Sequence, residues 1–181
     1  ADARGVGDVP IEVAILRQSA WAAFTQRDYG RFRALLREAY DSTVRAGDVP
    51  LQRMLEIDLV HDDLLQGRYA SADARAARLP PGTTPGGQGY WLAMVRADLM
   101  ASRGRHAHAL QGLAIEERAL NEGRSTPAPE GAWLAIARAR SHLALGALDR
   151  ARAELERVRT ANITMFADEL AELQGGVDLL S

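Results

Sequence analysis

From Trp91 the core-forming positions run Trp91-Leu92, Val95 and Leu99, and in a later stretch Leu134, Ala137, Ser141 and Leu145 keep the same spacing of three and four. That spacing puts the side chains on one face of an α-helix, where they can pack against a neighbour. Period-two alternation and β-branched runs are nearly absent, so no strand is predicted. The helical stretches are separated by "AGDVP", "LPPGTTPGGQG" and "GRSTPAPEG". Proline and glycine end helices, and proline is tolerated in the first turn of the next one. Asp8 and Asp48 stand where a carboxylate can cap a helix N-terminus, and Gly123 where a helix can stop. Arg150/Glu154 and Arg152/Glu156 lie four apart and predict weak pairs on a solvated face. The tail "ITMFADELAELQGG" predicts one last helix with an acidic face.

The pattern repeats. "TPGGQGYWLAMVRA" at 84–97 returns as "TPAPEGAWLAIARA" at 126–139, and nine of 21 positions from Thr84 to Gly104 match at an offset of 42. The front half has its own echo at an offset of 40: "GDVP" at 7–10 and 47–50, with Gln26/Gln66, Tyr29/Tyr69 and Ala34/Ala74. Within each unit a short polar or glycine step interrupts the helix: "QRDYGRF", "QGRYASA", "RGRHAHA" and "LGALDRA". Glycine relieves the steric cost of reversing the chain, and a small residue lets two helices approach. The expectation is four helix–turn–helix hairpins, over about 8–46, 48–80, 88–123 and 129–160, closed by a capping helix over about 162–174, all in one repeat domain.

The Gly67-x-Tyr69-x-x-Ala72 signal resembles the inter-helix turn of tetratricopeptide repeats. Asp28-Tyr29, Gly104…Ala109 and Gly146…Ala151 are similar to it, and Ala97 and Ala139 match the family's small position seven residues before the turn glycine. Glu56 and Asp63 fall where that family carries apolar or aromatic residues. The longer period resembles the repeat arrays of bacterial transcriptional regulators, of the maltose-activator-like and actinobacterial antibiotic-regulator types. The resemblance implies an all-α, right-handed superhelical stack with a concave groove, acting as a cytoplasmic interaction or sensor module.

Composition narrows the chemistry. The net charge is −2 over 181 residues, all 22 basic residues are arginine, and cysteine is absent. A basic surface for nucleic acid or anionic membrane is not expected, and disulfides and thiolate chemistry are excluded. The start "ADARGVGDVP" has neither a signal pattern nor an initiator Met, as expected of a piece of a longer chain. G-x-S-x-G, P-loop and dinucleotide-binding patterns are missing, and "GGQG" at 86–89 reads as a linker. His61-Asp62-Asp63 has the residue types of a metal hydrolase, but no further ligands accompany it, and Asp58, His61 and Asp62 read as an exposed acidic ridge. His106-x-His108 reads as a solvated turn. No cofactor and no metal is expected.

Arg96 and Arg138 occupy equivalent places in the third and fourth hairpins. Paired guanidiniums along a groove suit a carboxylate or acidic peptide through bidentate hydrogen bonds; the alternative is that they pair with Asp98, or with Asp58 and Asp62. The candidate groove is therefore Arg96, Arg138, Asp58 and Asp62. The expected function is a non-catalytic module of a larger bacterial regulator that binds a protein or peptide segment, the parent chain's other domains included. The alternatives are a small-molecule effector sensor, a self-association scaffold, and the metal-dependent hydrolase.

Overall fold

The computed structural model describes residues 9–79, 87–121, 128–161 and 167–180. The described residues are all-α, with no strand among them. The chain divides into two compact units, residues 1–79 and 80–181.

The first unit holds α1 (Val9–Thr25), α2 (Tyr29–Ala46), α3 (Val49–Leu65) and α4 (Tyr69–Ala76). α1 pairs with α2, α3 with α4, and α2 packs along α3. Pro10 and Pro50 sit in the first turns of α1 and α3, where a missing N–H costs nothing. Asp48 caps α3, its carboxylate accepting from the Leu51 N–H at 3.1 Å, and Asp28 caps α2 through the Arg31 N–H at 3.0 Å. Asp8 lies outside the described residues, as does Gly123. The core gathers Val13, Ala20, Ala23, Phe32, Leu36, Ala39, Leu55 and Leu59.

The second unit holds α5 (Gly87–Ala101), α6 (His106–Asn121), α7 (Ala128–Ala144), α8 (Leu148–Thr160) and α9 (Ala167–Leu179). α5 pairs with α6 and α7 with α8; α7 also packs on α5 and α6. α9 lies on α7 and α8, where Val177 joins Ala139, Ala151 and Leu155 in a second core. Two sequence expectations are corrected here. The "GGQG" stretch is not all linker, because Gly87–Gly89 already belong to α5. The last helix does not stop at 174 but runs through Gly175-Gly176 to Leu179. Gly176 is a contact notch, since a Cβ there would stand 2.8 Å from Leu143 Cδ2. Gly176 thus serves close helix approach inside the helix rather than ending it, while a Cβ at Gly175 would meet open space.

The four hairpin turns share one geometry. Arg27, Gly67, Gly104 and Gly146 have φ of 61°, 69°, 72° and 70°, the left-handed conformation. The next residue's N–H reaches back five residues in every case: Asp28 to Ala23 (2.9 Å), Arg68 to Asp63 (2.8 Å), Arg105 to Met100 (3.1 Å) and Ala147 to His142 (2.8 Å). This satisfies carbonyls that the helix end would leave open. Five residues beyond the left-handed one stand Phe32, Ala72, Ala109 and Ala151, all 0% exposed. Seven before it stand Ala20, Val60, Ala97 and Ala139, all at 3% or less. Small side chains hold the helices close at most of these positions. In the first hairpin Phe32 fills the space instead, a burial that stabilises by roughly 1.5–3 kcal/mol.

Candidate functional site

In the first unit the acids of α3 turn inward. α3 carries Glu56, Asp58, Asp62 and Asp63 against a single cation of its own, Arg53. Asp58 is 0% exposed, with Asp62 and Asp63 also buried, so the expected exposed acidic ridge is corrected to a buried one. α3 is covered by α2 on one side and α4 on the other, and its carboxylates draw cations from the helices around them. Arg17 of α1 binds Asp58 through Nε at 2.6 Å and Nη2 at 3.3 Å. Arg33 of α2 binds Asp62 at 3.2 Å, joined by Arg68 at 3.0 Å and the Gln66 amide at 2.6 Å. Asp63 accepts from Arg68, from the Ser71 hydroxyl at 2.6 Å and from Arg75 Nε at 3.1 Å. The other guanidinium arm of Arg75 reaches Glu56 at 2.9 Å. Buried carboxylates are tolerable only when paired in this way. Glu56 and Asp63 share one cation of α4, Arg75.

His61 stacks on Trp21 (centroids 5.8 Å apart, planes 29° apart) and lies 5.5 Å from the ring of Phe24. It is part of an aromatic cluster while its two aspartate neighbours are bound by arginine. Among the described residues no group of three or more His, Asp or Glu is placed to hold a metal. His106 opens α6, and His108 is exposed on it, so both are helical rather than in a turn.

In the second unit Arg96 of α5 donates from Nη1 to both Glu116 oxygens, at 3.2 and 3.3 Å. Arg138 of α7 binds Glu117 and lies 3.7 Å from Glu154 of α8. The two equivalent arginines are therefore held by consecutive acids of α6. Their side chains are only 15% and 13% exposed. Burial pushes the Glu154 carboxyl above the usual glutamate range, with Arg138 and Arg157 opposing and Glu117 adding to the rise. On α8 Arg152 pairs with Asp149, Arg157 with Glu154 and Arg159 with Glu156, each three apart, and Glu154 is buried rather than on a solvated face.

Equivalent positions touch one another. Trp91 and Trp133 meet edge to face, with centroids 6.0 Å apart. Asp98 accepts from Arg140 at 2.8 Å. Both pairs are 42 residues apart, the offset of the duplicated phrase, and Trp21 and His61 are 40 apart, the offset of the front half. Counted from the left-handed turn residue, Trp21, His61, Asp98 and Arg140 all stand at the same place, six before it.

Of the four predicted groove residues, Asp58 and Asp62 belong to the first unit and Arg96 and Arg138 to the second. Each has an ion-pair partner within its own unit. Sequence reasoning missed Arg17, Arg33, Arg68 and Arg75. The available signal was the surplus of four acids over one cation on α3, which calls for cations from other helices once the acids are buried. A second feature is a cavity of about 150 Å³ in the first unit, lined by Tyr40, Gln52, Arg53, Glu56, Arg75 and Arg78 among others. A hydrogen bond to Glu56, then burial, raises the Tyr40 phenol's pKa above its ordinary value. No protein-family model, curated protein or solved structure matches the chain.

Proposed function

We propose that this chain is a non-catalytic interaction module of tetratricopeptide-like helical repeats, a cytoplasmic part of a larger bacterial regulatory protein, which binds a protein or peptide segment in a concave groove. The observation that carries this reading is the contact between equivalent positions at the repeat offset, Trp21 with His61 and Asp98 with Arg140. Helices set side by side in repeat register present the same face again and again, which suits an extended partner. Arg96 and Arg138 are the groove cations in this reading, and an acidic segment would share them with Glu116 and Glu117.

The test is selection of peptides from a display library against the intact chain, then titration of a selected peptide into wild type and Arg96→Gln/Arg138→Gln. Glutamine is preferred to glutamate because reversal would set like charges beside Glu116 and Glu117. Weaker binding by the double variant at unchanged helicity supports the reading. Equal affinity removes these two residues from the groove, and failure to select any binder sinks the module reading.

A second reading, an effector sensor, is favoured by the small cavity beside Arg53, Arg75 and Arg78, whose cations outnumber Glu56. A panel of small carboxylates and phosphates, screened by thermal shift on wild type and Arg53→Ala, tests it. A shift by one compound, lost in the variant, would support an anionic effector; no shift by any compound removes that reading.

A further inference from the structure

α1 carries an uncovered stripe. Ile11 and Ile15 are 62% and 60% exposed, and Ala14, Gln18 and Ala22 on the same helix face are exposed as well. These residues follow one another at spacings of three and four, so they form one continuous strip along α1. Forty residues on, at the offset of the front-half repeat, their equivalents on α3 are Leu51, Met54, Leu55, Asp58 and Asp62. Three of those are buried and two are half-buried. Leu55, Asp58 and Asp62 are 0%, 0% and 2% exposed, and Leu51 and Met54 pack against the first core. What covers that face of α3 is the preceding hairpin, with α2 laid along it. α2 contributes Leu36 and Ala39 to the shared core, and Arg33 to Asp62.

The charge differs between the two faces in a way that defines the occupant. On α3 two of the five positions are aspartates that draw Arg17 and Arg33. On α1 the same two are Gln18 and Ala22, which ask for no cation. We propose that the Ile11–Ala22 stripe is a docking face for an amphipathic helix with an uncharged face of aliphatic and small residues, laid on α1 as α2 lies on α3. Such a helix brings aliphatic side chains to Ile11 and Ile15 and a small residue beside Ala14, the geometry of a helix read through anchors three and four apart. The proposal is separate from the groove reading: it concerns a different face and stands on the repeat offset alone.

The probe is a labelled synthetic peptide spanning Asp28–Gly47, the sequence of the helix that covers the equivalent face, titrated with the full chain by fluorescence anisotropy. Saturable binding is expected, weakened at least about tenfold by Ile11→Glu/Ile15→Glu. Ala14→Arg, at the centre of the stripe, is the second variant should the double one fold poorly, with circular dichroism as the check. An Arg33→Ala peptide should bind as well as the parent, because it meets Ala22 rather than an aspartate. Absence of saturable binding overturns the proposal, and so does binding indifferent to both stripe variants. Dependence on Arg33 overturns it too, since the peptide would then be exchanging onto α3 at Asp62. Sedimentation of the chain alone closes the test: a dimer lost in Ile11→Glu/Ile15→Glu would give the face to a second copy and overturn the assignment to a partner helix.

Discussion

Asp98 of α5 and Arg140 of α7 are joined at 2.8 Å, and each stands six residues before the left-handed glycine of its own hairpin. The same place in the repeat thus holds opposite charges in successive hairpins, and the pair ties one to the next. Asp98→Arg should destabilise the second unit by roughly 1 kcal/mol by setting like charges together. Adding Arg140→Asp should restore most of it. Guanidinium unfolding of the single and double variants measures the coupling, and additive effects would show that the pair carries none.

Arg27 occupies the left-handed position that glycine holds in the other three hairpins, at φ 61°. A side chain in that conformation costs roughly 1–2 kcal/mol that glycine avoids. Arg27→Gly should raise the unfolding free energy by on the order of 0.5–1 kcal/mol once the greater freedom of the unfolded glycine is counted, read from the denaturation curve. Gly104→Arg should lower it by a similar amount. A destabilised Arg27→Gly would show that the arginine side chain holds the turn.

Ser141 is 0% exposed, and its Oγ has no hydrogen-bond partner among the described residues. A buried hydroxyl without a partner costs about 1–3 kcal/mol. Ser141→Ala removes the polar atom and little volume, so thermal unfolding should move upward. A drop in melting temperature would reveal a partner for the hydroxyl.

Ala97 is 3% exposed on α5. Ala97→Phe should destabilise by roughly 1–3 kcal/mol through overpacking, whereas Ala97→Gly should cost less than that. Urea midpoints of the two variants decide it; a Phe variant as stable as wild type would mean that the helices can part there without loss.

His142 titrates below the ordinary histidine value of 6.5, because burial disfavours its charged form and Arg150 and Arg138 repel it. As the pH falls, the unfolded chain takes up this proton before the folded one does. The contribution of His142 to stability is therefore complete above about 6.5 and is lost as the pH drops through the lower folded value. Glu154, with its raised carboxyl pKa, acts in the opposite sense near the carboxylate range. Unfolding free energies at several pH values should show a shallower acid loss in His142→Gln than in wild type. Parallel curves would remove His142 from the linkage.

All four turns could be read from the chain, and Gly67, Gly104 and Gly146 also advertise a left-handed backbone. In the first turn, read from the polar step "QRDYGRF", that conformation falls on Arg27, a residue type that does not announce it. The acids of α3 were visible as residues, but their burial was not. Their cations arrive from positions 41, 29 and 12 residues away, and only tertiary structure brings them near. Arg96 and Arg138 stand out in the duplicated phrase, while the acids that hold them, Glu116 and Glu117, sit on a helix with no duplicated phrase to draw notice. Gly176, beyond the expected helix end, misled for a related reason. Its use as a notch for Leu143 depends on α7, and α7 is far off in sequence.

The stretch from seven residues before each left-handed turn to five after it has a fixed internal geometry in all four hairpins, whatever the length of chain between one turn and the next. Turn-to-turn distances of 40, 37 and 42 residues, obtained as 67 − 27, 104 − 67 and 146 − 104, thus vary outside that stretch, in helix length as well as in the joining segments: α4 has 8 residues where α2 has 18. Each clasp is in effect an interchangeable part. What lies between two clasps can lengthen or shorten while the clasps themselves stay as they are.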